Sequence, residues 1–200
     1  MMKILIDNGH GENTPGKRSP DGTLREFQYA REIASEIVRE LRVKGYDAER
    51  IVRENIDVPL SERARRVNEF CGKLGAKKVL LVSVHCNAAG DGSQWMKARG
   101  WSAYTTKGET RSDRLANRLY EAAANEFDGM PLKIRKDLQD GDPDWEENFY
   151  ILRKTKCAAV LTENFFQDNK EDVEFLLSPE GRAAVARVHV KGIISYIRNL

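Results

Sequence analysis

The chain has 200 residues, of which 40% are hydrophobic and 32% charged, and 33 Lys and Arg against 31 Asp and Glu leave a net charge of +2. So balanced a composition argues against a dedicated nucleic-acid binder, which carries a clustered basic face, and no apolar run approaches the roughly 20 residues of a membrane span. A chain of this length buries roughly 70% of its unfolded surface and needs no covalent staples.

In chain order, residues 3–7 (KILID) predict a first strand. Residues 26–44 place Phe27, Ala30, Ile33, Ile37, Val38 and Leu41 at helical spacing and stop at Gly45. A short strand follows around 47–53. Ser61 is read as the cap of a helix running to about Leu74, with Ala64, Val67, Phe70 and Cys71 on one side. Residues 78–84 (KVLLVSV) are apolar on both faces, as a central parallel strand covered by helices should be. WSAYTT at 101–106 alternates like another strand, and 112–127 reads as a helix burying Leu115, Leu119, Ala122 and Phe127. AAVLTE at 158–163 repeats the buried-strand pattern, and 179–198 is helical, opening at Pro179.

Strands alternating with helices predict one α/β domain over residues 1–200, a three-layer sandwich with a twisted, mostly parallel mixed sheet and helices on both faces. Two irregular stretches, 8–25 and 128–148, are long for a compact domain, which marks them as functional or mobile. Cys71, Cys86 and Cys157 form no C-x-x-C pair, so free buried thiols are expected rather than disulfides or a thiolate metal site. Met1-Met2-Lys3 runs directly into the first strand with no secretory leader pattern. The expectation is synthesis in the cytoplasm, with any action elsewhere following release or export.

The buried strands end in chemistry-bearing residues. Asp7 closes the first and is followed by Asn8-Gly9-His10-Gly11; His85 closes the second and Glu163 the late one. Parallel α/β sheets hold their ligands beyond the carboxyl ends of their strands. Two imidazoles and one carboxylate are the protein ligands of a hydrolytic zinc site. His10 and His85 supply the first two, Glu26 at the start of the first helix is the carboxylate candidate, and Glu163 suits a general base. Spacing alone leaves this metal reading open, because two separated histidines and a glutamate also occur by chance. His189, inside the C-terminal helix, reads as structural or surface.

The segments ILIDNGHG, LREFQYAREIA, LLVSVHCNA and AVLTENFFQDN, in this order over nearly the whole chain, resemble the zinc-dependent N-acetylmuramoyl-L-alanine amidases, in the catalytic domain shared by sporulation, division and phage lytic enzymes. Lesser marks are Arg53 after the second strand, a leucine-arginine-asparagine spacing from Leu60 to Asn68 and ILR at 151–153. The resemblance implies a twisted mixed sheet flanked by helices, Zn2+ held by His10, Glu26 and His85, and Glu163 as catalytic acid/base. The reaction it implies cuts the amide between N-acetylmuramic acid and L-alanine of the peptidoglycan stem peptide. It further suggests a monomeric, stand-alone catalytic domain that takes peptidoglycan or muropeptides and binds no nucleic acid. With only 77 residues between His85 and Glu163, a long autoinhibitory helix is not expected. Departures fall after Glu163, where Phe165 stands at a frequent glycine and Asp168 replaces a small hydroxyl. In the family that loop borders the substrate cleft, so both residues bear on substrate preference. Arg53 is a candidate helper of the oxyanion.

Other readings attach to several of these residues. Another zinc peptidase could use the same ligands and cut within the stem peptide, whereas a non-catalytic wall-binding relative would lack Glu163. Gly11 to Arg18 nearly spells a phosphate-binding loop, but Arg18 replaces the hydroxyl residue, Pro15 removes a donor and 19–22 is a turn where a helix should begin. Cys86 reads as buried filler, since neighbouring strand residues point to opposite faces. Asp140, Asp142 and Asp144 open like a calcium loop, yet Trp145 occupies the glycine position and Ile151 the twelfth. The acidic stretch 137–147 is expected to be a solvated flap, or a lip touching cationic groups of the stem peptide. Trp101 reads as core, with Tyr104 on the same strand, and Trp95 as a residue that could stack on sugar or peptide.

Overall fold

The computed structural model describes residues 2–200. Six strands, β1 (Lys3–Asn8), β2 (Asp47–Arg50), β3 (Val79–Asn87), β4 (Ser102–Thr105), β5 (Trp145–Glu146) and β6 (Ala158–Phe166), form one sheet in the order β2-β1-β3-β6-β4-β5. Every neighbouring pair is parallel except β4 with β6. The helices are α1 (Glu26–Val43), α2 (Leu60–Leu74), α3 (Arg111–Glu126), α4 (Tyr150–Lys154), α5 (Lys170–Leu177) and α6 (Pro179–Arg198).

Strand alternation sorts the apolar side chains into two cores. Ile4, Ile6, Leu80, Val82, Val84 and Val160 pack under α1, α3, α5 and α6. Leu5, Leu81, Ala159 and Leu161 pack on the opposite face under α2 and α4. The expected three-layer α/β sandwich with a mixed sheet is what forms. None of its helices, among the described residues, is long and apolar enough to cross a membrane.

Helix ends follow local chemistry. Gly45, at φ +83°, closes α1 in a Schellman arrangement, its N–H donating to Arg42 O and the Tyr46 N–H to Leu41 O. Ser178 caps α6 by accepting from Gly181 N–H, with Pro179 at the first position. At α2 the structure differs from expectation: the helix starts at Leu60, with Pro59 as cap and Ser61 inside it. Pro59 presets the entry conformation and its carbonyl accepts from the N–H groups of Glu62 and Arg63. The second strand stops at Arg50, and β6 runs three residues beyond Glu163 through a bulge opposite His85–Asn87. All three cysteines are free and buried.

His189 is fully buried on α6. Its Nδ1 lies 2.7 Å from Val185 O and its Nε2 2.8 Å from Thr162 Oγ1. A neutral ring with the proton on Nδ1 satisfies both contacts. Burial therefore pushes this imidazole down to about 4 from 6.5. Between those values the unfolded chain binds a proton that the folded chain refuses, so stability falls as pH drops from 6.5 toward 4. Denaturant titrations of wild type and His189→Gln across this range should diverge in slope by an amount worth on the order of 3 kcal/mol over the window. Parallel pH profiles would show that His189 does not titrate with unfolding.

Candidate metal and catalytic site

Strands β1, β3 and β6 lie side by side at the centre of the sheet, and their alternation puts Asp7, Ser83, His85 and Glu163 on the α2 side. The chain leaves β1 through Gly9, whose N–H donates to Val84 O, and His10 then adopts a left-handed backbone at φ 58°. Such a conformation is strained for a residue with a side chain and concentrates at functional sites. Two arginines hold it. The His10 carbonyl accepts from Arg31 Nη2 at 3.1 Å and from Arg63 Nη2 at 3.2 Å. Glu26 opens α1 and is fully buried, its N–H donating to Lys17 O.

These placements bring together three residues distant in sequence. His10 Nε2 and His85 Nδ1 each stand 3.3 Å from Glu26 Oε1. The two rings meet edge to face at 5.0 Å, and one potential ligand atom from each residue lies within 4.8 Å of the others. Glu26 Oε1 also accepts from the Cys86 N–H at 3.0 Å, while its Oε2 is buried with no partner. Burial opposes ionisation of Glu26, but the hydrogen bonds and charge of His10 and His85 prevail and hold it well below the usual carboxylate range. Burial likewise opposes protonation of His85, and Glu26 overcomes it, raising the imidazole. A buried anion facing two imidazoles, with one oxygen orphaned, is a set able to hold a divalent metal.

Behind His85 lies a chain of contacts that local sequence patterns do not reveal. Arg63, 1% exposed, donates to Asp7 Oδ1 at 2.7 Å; Ser83 Oγ–H donates to Asp7 Oδ2 at 2.6 Å; and His85 Nε2 stands 3.1 Å from Ser83 Oγ. Ser83 has one proton and spends it on Asp7, so the contact with His85 is made by a ring Nε2–H. With Nε2 so occupied, Nδ1 donates to Glu26 when the ring is protonated and carries the lone pair, open to a metal, when the ring is neutral. Outer contacts of this kind orient ligating histidines and fix their tautomer. The partners are 56 and 76 residues apart in the chain, so the only signal was that Asp7 and Ser83 alternate in phase with His85.

Glu163 pairs with His85 in the β3–β6 register, so the two side chains emerge side by side. Its Oε2 is buried and unpartnered. Burial, seconded by the charge of Glu26, pushes its carboxyl up to about 8 against the opposing effects of His85 and Lys17. Asn164 Nδ2 donates to His85 O at 2.9 Å and its Oδ1 accepts from Trp101 Nε1, tying the two strands together beside the site.

Some expectations change and others hold. Phe165 presents nothing to a cleft: it is fully buried against Phe127 and Phe175, each ring 5.2 Å away, and takes φ 65° at the bulge. That left-handed position is one glycine fills without cost; here aromatic packing offsets the strain. Asp168 is also buried, its Oδ2 accepting from the N–H groups of Ala89 and Gly90 and so pinning the loop after β3. Arg53 stays outside the site, exposed and paired with Glu49. Cys86 is buried, and burial raises its thiol well above the ordinary value, which suits filler rather than a nucleophile. The 11–18 segment leads into an Arg18–Arg25 bridge rather than a helix, which removes the phosphate-loop geometry. Trp101 is core, and Trp95 is 38% exposed.

A family model for N-acetylmuramoyl-L-alanine amidase matches residues 4–195. The chain belongs to that family. Among curated relatives, the endolysin of Bacillus phage SPP1 is 27% identical over 96% of this chain and 65% of its own length. The N-acetylmuramoyl-L-alanine amidase CwlM of Bacillus licheniformis is 31% identical over 96% and 68%. This chain thus spans roughly two-thirds of the length of both. An N-acetylmuramoyl-L-alanine amidase structure from Clostridium difficile 630 shares the fold at a TM-score of 0.81, with 24% identity over 98% of this chain and 97% of that one. The motif resemblance noted in the sequence therefore holds at the level of family and fold.

Proposed function

We propose that the chain is a zinc-dependent hydrolase, a single catalytic domain, that cuts the amide between N-acetylmuramic acid and L-alanine of the peptidoglycan stem peptide. The observation that carries the reading is the convergence of His10, Glu26 and His85 with Glu163 beside His85; family membership supplies the substrate. His10, Glu26 and His85 are assigned as zinc ligands, a role that fits their two imidazole nitrogens and the orphaned Glu26 oxygen. Zinc, when bound, supplies a Lewis acid that polarises the scissile carbonyl and makes water a nucleophile near neutral pH.

The chain's own residues do the rest. The Cys86 N–H fixes the Glu26 carboxylate, and Ser83 with Asp7 fixes the His85 ring. Glu163 takes a proton from the attacking water and returns it to the departing L-alanine nitrogen. A carboxyl raised by burial sits close to working pH, where one group serves as both base and acid. On this reading the protein acts as a monomer at the cell wall, reached after release or export.

Mass spectrometry of fragments from isolated peptidoglycan treated with zinc-loaded protein tests the scissile bond. Intact glycan strands and stem peptides bearing a free L-alanine amino terminus are expected, with release abolished by chelation and restored by zinc. Cleavage between stem-peptide residues would reassign the protein to the peptidases, and release that survives chelation would remove the metal.

A further inference from the structure

The acidic stretch at 137–147 is not uniformly solvated. Asp144 is 1% exposed and Asp113, in the first turn of α3, is 5% exposed. Because β4 runs antiparallel to β6, with Ser102 opposite Glu163 and Tyr104 opposite Leu161, Thr105 lies toward the start of β6. Ser112 of α3 accepts from the Ala159 N–H at that same end. The acidic residues around Thr105 therefore sit at the end of the sheet away from His10 and His85, which sets those residues aside as a lip over the stem peptide.

One ligand atom each from Asp113, Asp142 and Asp144 lie within 4.8 Å of one another. Their hydrogen-bond accounting does not close. Thr105 Oγ1 has a single proton but stands 2.6 Å from Asp144 Oδ2 and 3.0 Å from Asp113 Oδ1. The Thr110 N–H reaches Asp113 Oδ2. No donor outside the cluster reaches Asp144 Oδ1 or Asp142 Oδ1, both buried atoms, and the Asp142 and Asp144 carboxyls face each other within hydrogen-bonding range. Asp142 is partly exposed while Asp113 and Asp144 are buried, and among the described residues no Lys, Arg or His forms an ion pair with any of the three. Burial, with Asp142 and Asp113 adding repulsion, pushes the Asp144 carboxyl up to about 7.

We propose that Asp113, Asp142 and Asp144 form a binding site for a hard divalent cation of the calcium type, clasping the 137–147 segment onto the start of α3. The donors are all oxygen, which suits calcium rather than zinc. Calcium takes roughly 6–8 oxygen ligands in flexible geometry, and an open cleft of about 470 Å³ that reaches Asp113 and Asp142, with Lys107 and Arg114 on its walls as well as Asp140 and Glu146, gives water access to complete the shell. The sequence pattern at Asp140, Asp142 and Asp144 fails as a calcium-binding helix–loop–helix because its ligands do not continue along the chain. The fold supplies Asp113 from α3 instead. An ion here secures β5, which follows directly at Trp145, against the sheet edge. The site stands independently of the amidase reading, because its test reads binding and unfolding rather than turnover.

The test uses the zinc-loaded protein, stripped of calcium and titrated with calcium chloride. One calcium per chain is expected by calorimetry, with Tm raised by roughly 5–10 °C at about 100 times Kd. Terbium substituted for calcium should show luminescence sensitised by the neighbouring Trp145. Asp142→Asn, which keeps the side chain's shape at a partly exposed position, should lower calcium affinity at least tenfold and remove the Tm shift while leaving zinc content unchanged. The absence of any calcium-dependent Tm shift up to about 10 mM, beyond the weakest extracellular calcium modules, would overturn the proposal and leave a proton-sharing carboxyl cluster. A calcium response that persists in Asp142→Asn would overturn it equally, by placing the ion elsewhere.

Discussion

Replacing Glu163 by glutamine should lower kcat by roughly 10²- to 10⁴-fold, the span of general acid–base catalysis, with zinc stoichiometry unchanged. The substitution keeps shape and volume at a partly buried position and removes only the ability to take and return a proton. Glu163 is not among the three residues whose ligand atoms converge, so metal content measured on the same sample separates its role from theirs. A second readout follows from burial. A carboxyl that folding pushes from 4.5 up to about 8 costs the wild type stability as pH rises through that interval. The metal-free glutamine variant should therefore gain on the metal-free wild type toward alkaline pH. Turnover within a few-fold of wild type would remove Glu163 from the chemistry.

Gly9→Ala should weaken zinc binding by at least roughly 100-fold, beyond the usual cost of disturbing an outer contact of a metal site. A Cβ at position 9 would stand 2.9 Å from His85 Nε2 and closer still to Cε1 and Nδ1. Gly9 does not occupy the left-handed region, so alanine suits its backbone and the conflict is with the ring alone. The ring must then leave the orientation that Ser83 fixes. Competition against a zinc-chelating dye reports the affinity, and the Tm of the metal-free variant should move little. Unchanged affinity would mean that the His85 ring does not hold the metal in this orientation.

Much of this site was legible because parallel strands buried on both faces leave unbroken apolar runs, and a polar residue ending such a run stands out. Asp7, His85 and Glu163 were visible in that way, and Glu26 by its position opening a helix with apolar periodicity. Arg63 was not, because on α2 a charged residue reads as solvent-facing until β1 is known to end beneath it. α4 and α5 are too short for helical periodicity to register, and β5 has only two residues. The direction of β4 is absent from WSAYTT, since alternation is the same for either orientation. Asp144 was read as solvated from composition, whereas its burial depends on β5 adding to the sheet edge. Phe165 was weighed by its departure from a frequent glycine, and only the bulge shows that the position concerns backbone conformation.

The strand order carries a consequence for how the protein comes into being. Lys3 pairs with Val79, and Leu80 in turn with Ala158, so the centre of the sheet is knit from segments synthesised far apart in time. At about 5–20 residues per second, a ribosome needs roughly 4–16 s to pass from the end of β3 to the end of β6. Throughout that interval the nascent chain already holds His10, Glu26 and His85 but has neither Glu163 nor the strand that would seat it. Pairings of such long range also fold slowly. With the role proposed for Glu163, hydrolytic competence would wait for this final strand of the sheet.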